Sequence, residues 1–200
     1  MKTKPAITAA TPLQPLDWPG ERRLFLGVLP DAPNARQLAA LLPSIAAPAK
    51  PVAASNLHLT LLFLGQSSAV QACQLTETLA TLALPSFSVL LNEWLVWPGP
   101  AVCCLAGEVA DPALAGLNTT LLQVAAACGF PPPQHPLKPH ITLARRCKTK
   151  PELPPLQIRL QATTLWLFHS AATSAGVCYR PLWQQPLVDA AGLCPQCSSQ

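Results

Sequence analysis

Two histidines with near-identical surroundings are the residues of this chain best suited to chemistry. His58 opens "HLTL" within "NLHLTLLFLG" (56–65), and His140 opens "HITL" within "KPHITLARR" (138–146). Each is followed two positions later by a threonine, Thr60 and Thr142. An imidazole with an ordinary pKa of about 6.5 holds both protonation states near neutrality. A pair can therefore divide the work, one neutral ring taking a proton while one charged ring gives one. Threonine hydroxyls do not ionise, but they donate hydrogen bonds to oxygens on which charge builds up, such as the non-bridging oxygens of a phosphate under attack. Two imidazoles, with no third histidine or carboxylate in matching context, are too few ligands for a metal site. A serine nucleophile also fits poorly, because no Gly-x-Ser-x-Gly elbow exists. The chemistry these residues fit is metal-free acid–base hydrolysis of a phosphodiester. A lone histidine on a strand is ordinarily structural; the repeated H-[LI]-T-L context in an apolar setting favours function.

Such residues need elements that aim them. Residues two apart on a strand share a face. His58 and Thr60 therefore point one way while Leu57, Leu59 and Leu61 enter a core, and His140 and Thr142 repeat this with Ile141 and Leu143 buried. Packed as mirrored partners, the two strands would set all four polar groups across one cleft. Further strands are expected at "RRLFLGVL" (22–29), stopped by Pro30, at "SFSVLLNEWLVW" (86–97), at "AVCCLAGEVA" (101–110), in the single run "LQIRLQATTLWLFHS" (156–170) and at "CYRPLWQQPL" (178–187). Helical spacing marks 33–42, 68–83 and 111–128; the last begins with Asp-Pro, an N-cap and first-turn signature, and ends before Gly129. The fold class is α+β, with each half holding a His-x-Thr strand after a helix, the pattern of an internal duplication. Residues 1–20, rich in turn formers, read as a disordered extension, 21–188 as the two-lobed domain and 189–200 as a flexible tail.

Composition narrows the rest. Half of the 200 residues are hydrophobic and 11% are charged, ample for a core and wrong for a disordered chain. The net charge of +4 permits a phosphate-bearing substrate without a polybasic tract that would demand nucleic acid. No apolar run reaches the 18 or so residues of a membrane span, and the first 23 residues lack a signal-peptide core. The protein therefore reads as cytoplasmic, with its eight cysteines reduced. Cys103 and Cys104 read as small buried hydrophobes. "CPQC" (Cys194–Cys197) has metal-like spacing but supplies two ligands where a structural zinc wants four, and reads as an exposed tail.

These residues resemble the 2H phosphoesterase superfamily, named for two His-x-Thr motifs, and most closely its bacterial RNA 2′,3′-cyclic phosphodiesterase branch, also labelled 2′–5′ RNA ligase. The likeness runs in register from "RRLFLGVLP" through both motifs to "YRPLWQQPL", about residues 22–188. It implies two pseudo-symmetric lobes, each an antiparallel sheet with helices outside and the active site in the cleft between them. It implies no metal or other cofactor, RNA ends or small cyclic nucleotides as partners, and hydrolysis to a 2′-phosphomonoester. Ligation of 2′–5′ ends would be the same chemistry in reverse. The resemblance makes His58 the proton donor and His140 the acceptor, and places Arg145 near the phosphate, although strict strand alternation would turn Arg145 off the cleft face. No protein partner or membrane contact is expected, and the chain is expected to act as a monomer. Three positions depart from the family pattern: Leu26 follows Phe25 where a second aromatic is usual, Val28 replaces an acidic residue, and Cys104 stands where a tryptophan is usual. A degenerate relative that binds an RNA end without turnover is the rival reading; intact His and Thr in both motifs favour the enzyme.

Overall fold

The computed structural model describes residues 10–174 and 176–189. In chain order its strands are β1 (Thr11–Pro12), β2 (Glu21–Val28), β3 (Lys50–Pro51), β4 (Leu59–Ser68), β5 (Phe87–Trp97), β6 (Val102–Gly107), β7 (His140–Arg145), β8 (Ile158–Ala162), β9 (Thr164–Thr173) and β10 (Gly176–Pro186). The helices are α1 (Ala32–Leu41), α2 (Ala69–Ala80) and α3 (Pro112–Ala127). Each begins where its sequence offers a cap. The Asp31 carboxylate accepts from the Asn34 N–H, Ser68 and Gln71 form a reciprocal capping box, and Asp111 accepts from the Ala113 N–H.

The strands make one antiparallel sheet in the order β1-β10-β9-β2-β4-β7-β6-β5-β8, with β3 pairing β7. About the β4–β7 junction the order is nearly palindromic, and the junction itself is a single pair, Leu59↔Ile141. Helices α2 and α3 pack on β4, α3 also reaches β5, and α1 lies by β8. Leu24, Leu26, Leu59, Leu75, Leu105, Leu114, Ile141 and Leu143 are fully buried between these layers. The α+β class and the antiparallel halves expected from the sequence are present.

Two expectations are corrected. Residues 10–20 belong to the fold rather than to a disordered extension: Thr11 and Pro12 pair with Gln184 and Trp183 at the sheet edge, and Trp18 is buried with its indole N–H donating to the Ser67 carbonyl. An edge strand tolerates proline, which has no N–H to give to a ladder, so the proline content misled. The run 156–170 is two strands, not one. It breaks at Thr163, after which the chain leaves β5 on one side of the sheet for β2 and β10 on the other. Residues 1–9 and the Cys194–Cys197 pair lie outside the described residues. Among the described residues no helix is long and apolar enough to cross a membrane.

Candidate active site

The pair Leu59↔Ile141 sets the geometry. In an antiparallel register, partners face each other on the same side of the sheet. Counting one residue either way puts His58 opposite Thr142 and Thr60 opposite His140, so each imidazole faces the other motif's hydroxyl. All four side chains are half-buried, while Leu57, Leu59, Leu61, Ile141 and Leu143 are buried behind them.

Both rings are held the same way. His58 Nδ1 lies 2.6 Å from the Asn56 carbonyl and His140 Nδ1 lies 2.7 Å from the Lys138 carbonyl, in each case two residues earlier. A carbonyl only accepts, so Nδ1 carries the proton and Nε2 is left to the cleft. His58 Nε2 is 3.0 Å from Thr60 Oγ1. The carbonyl-bearing residues are themselves tethered. Asn56 donates from Nδ2 to the Val177 carbonyl (2.7 Å) and accepts from the Tyr179 N–H (3.2 Å). Lys138 Nζ bonds Glu108 and lies 3.9 Å from Glu93.

Aromatic rings line the histidines. Tyr179 meets His58 edge-on with ring centres 4.7 Å apart, Phe25 sits 4.8 Å away, and Trp97 meets His140 edge-on at 4.5 Å. These walls exclude water, which disfavours a charged ring. Burial accordingly lowers His58 to about 4, opposed by the Asn56 carbonyl and assisted by the charges of His140 and Arg145. Burial also lowers His140, against the Lys138 carbonyl. The free site therefore keeps both rings neutral at physiological pH.

Arg145 faces the cleft, and a β-bulge is the reason. Thr142 pairs with Cys104 and Ala144 with Cys103, leaving Leu143 as the extra residue that reverses the alternation. Its guanidinium donates to the Tyr179 hydroxyl at 3.2 Å, joining the two halves of the sheet. The same device recurs in β4, where Leu61 is extra between Thr60↔Gly27 and Leu62↔Leu26. Both bulges directly follow the motif threonine, so Phe63 is the counterpart of Arg145.

A cavity of about 290 Å³ opens on the His58–Thr142 side, with Lys50, Asn56, Arg145, Arg146 and Tyr179 also in its wall. Three cations and no carboxylate among its described lining residues make it a site for an anion. Arg146, the residue just after the strand, sits at φ 56°, in the left-handed region that a non-glycine residue seldom occupies. His140 and Thr60 are not among its lining residues. Sequence reasoning did not find Lys50, Asn56, Tyr179 or Trp97. Asn56 and Lys138 share the position two before each histidine, a visible parallel, whereas Lys50, Tyr179 and Trp97 arrive only through strand pairing. Cys104 pairs with Thr142 and is buried, and its thiol is pushed up to about 12 by burial, so it serves as packing.

The chain is similar to known proteins along most of its described length. Residues 28–103 match the family described as LigT like Phosphoesterase. Escherichia coli (strain K12) RNA 2′,3′-cyclic phosphodiesterase is 32% identical over 135 residues, covering 66% of this chain and 77% of that protein. The structure of E. coli LigT complexed with 3′-AMP superposes with a TM-score of 0.75 at 29% identity, covering 84% of this chain and 99% of that one. The E. coli LigT complex with NADP+ gives 0.72 at 30% identity, covering 84% and 98%.

Proposed function

Because the chain belongs to the LigT-like phosphoesterase family of the 2H superfamily, we propose that it hydrolyses RNA 2′,3′-cyclic phosphate ends to 2′-phosphomonoesters, with His58 and His140 as acid and base. The observation that supports this is the Leu59↔Ile141 pairing, which by strand alternation sets His58, Thr60, His140 and Thr142 on one face of the sheet about the junction. Neutral His140 takes a proton from water as its oxygen attacks phosphorus. The bond from phosphorus to the 3′ oxygen breaks, and imidazolium His58 protonates that oxygen, leaving the phosphate on the 2′ oxygen. Thr60 and Thr142 donate to the non-bridging oxygens, and Arg145, aimed by Tyr179, offsets their charge.

His58 is neutral in the free site, so it must take up a proton from solvent when the substrate binds. An anionic phosphodiester beside the ring favours the imidazolium and raises its pKa. The rate should therefore be bell-shaped in pH, with limbs that belong to the coupled pair. The basic limb for kcat should lie above that for kcat/KM, because kcat reports the occupied site. The decisive assay uses a 2′,3′-cyclic mononucleotide with excess chelator, followed by phosphorus NMR. A 2′-phosphate product is expected. A 3′-phosphate would mean that the opposite bond breaks, and no turnover would remove the enzymatic reading.

A further inference from the structure

Away from His58 and His140, a groove of about 710 Å³ is lined by Glu21, Arg22, Arg23, Phe63, His169 and Ser170 among others. It exists because two strands separate. β2 stays paired with β4 back to Glu21↔Ser68, but its pairing with β9 stops at Leu24↔His169. Residues 21–23 of β2 and 170–172 of β9 then stand apart with the groove between them. We propose that this groove binds the single-stranded RNA upstream of the cyclised end, with Arg23 on a backbone phosphate and a base stacked on the Phe63–Arg23 pair. This proposal rests on the phosphodiesterase function proposed above and extends it from the end of the strand to its body.

Three observations support it. First, the groove carries net positive charge. Two arginines line it against one carboxylate, Glu21, and among the described residues the only ion pairs are those of Lys138, so neither Arg22 nor Arg23 is neutralised by a carboxylate within 4 Å. His169 registers this crowding: it is lowered by burial and then by the charges of Arg22 and Arg180. Second, Phe63 is 44% exposed, with the Arg23 guanidinium 4.8 Å from its ring centre. An aromatic ring with a stacked guanidinium is a platform that accepts any base and gives little sequence preference. Third, the platform is joined to the active site. Phe63 stacks on Phe25 at 6.2 Å, and Phe25 lies 4.8 Å from His58. Phe63 is therefore within about 11 Å of the His58 ring, a span of at most about three nucleotides of strand at a stacked repeat of about 3.4 Å.

The test compares a 2′,3′-cyclic mononucleotide with a short single-stranded oligoribonucleotide ending in a 2′,3′-cyclic phosphate. Arg23→Gln should raise KM for the oligonucleotide roughly tenfold, the loss of one charged hydrogen bond, and leave mononucleotide kinetics unchanged. Oligonucleotide binding followed by fluorescence anisotropy should lose about 0.7 from its log–log salt slope, one phosphate contact on a single strand. Arg23→Lys should keep the slope, and Arg23→Glu should weaken binding further. Equal effects on both substrates, or an unchanged slope in Arg23→Gln, would overturn the proposal. Should the wild type hydrolyse neither substrate, the phosphodiesterase function fails, and the binding arm still decides the groove. In that case a salt slope that falls in Arg23→Gln supports the groove, and no oligonucleotide binding by the wild type overturns it.

Discussion

At the residue scale, the two histidines are held alike and serve differently. Each gives its Nδ1 proton to a carbonyl two residues earlier, which fixes the tautomer and turns Nε2 to the cleft. Either ring replaced by alanine should lower turnover by about a hundredfold or more, the usual worth of a general acid or base. A folded His58→Ala or His140→Ala variant with near-normal turnover would refute the two-histidine mechanism. A substrate with a much better leaving group separates their roles. It needs little protonation, so it should partly rescue His58→Ala and leave His140→Ala impaired. Rescue of His140→Ala alone would reverse the assignment.

At the scale of elements, close backbone contact and bulges decide what the cleft contains. Gly27 pairs with Thr60, and a Cβ added there would lie 2.7 Å from the Leu59 carbonyl oxygen. That carbonyl belongs to the residue between His58 and Thr60, so the clash would displace the motif itself. Gly27→Ala should therefore destabilise the fold by about 1–3 kcal/mol, as overpacking does, and lower kcat/KM even where the variant stays folded. Chemical unfolding alongside kinetics checks both; a variant of wild-type stability would show that β2 and β4 can separate freely there. Bulges were illegible in the sequence. "HITL" alternates cleanly and Ala144–Arg145 breaks the pattern without giving the cause; only the pairing of Thr142 with Cys104 and Ala144 with Cys103 reveals Leu143 as extra and returns Arg145 to the cleft.

At the scale of the whole molecule, two halves of a sheet meet at one residue pair and are cross-linked by Arg145 and Tyr179 over the site. Burying imidazoles at this seam ties stability to pH. The unfolded chain protonates His58 near 6.5, while the folded protein resists until about 4. Between those values the unfolded state binds more protons, so acid favours unfolding; above about 6.5 the ring contributes no slope. His140, lowered in the same direction, adds to it. Thermal unfolding midpoints should fall as pH drops through this window, and His58→Gln should flatten the fall. An unchanged pH dependence in that variant would place the titrating groups elsewhere.

The sequence by itself determined the α+β class, the three helices with the cap of the third, and the faces of both His-x-Thr strands, because period and capping are local properties of the chain. Leu59 and Ile141 are buried beside His58 and His140 as alternation requires. Tertiary structure alone decided which strands are neighbours. The run 156–170 looks continuous because strand propensity does not say which partner a strand will take, and the chain changes sides of the sheet at Thr163. Trp18 and the proline-rich segment before it join the fold for the same reason, since a sheet edge accepts them where a helix would not. Tyr179 and Trp97 reach the histidines from distant strands, and Lys50 reaches Arg145 through a two-residue pairing. Such contacts depend on register between segments far apart in the chain, and register is fixed only once a face of the sheet is buried against the rest of the fold.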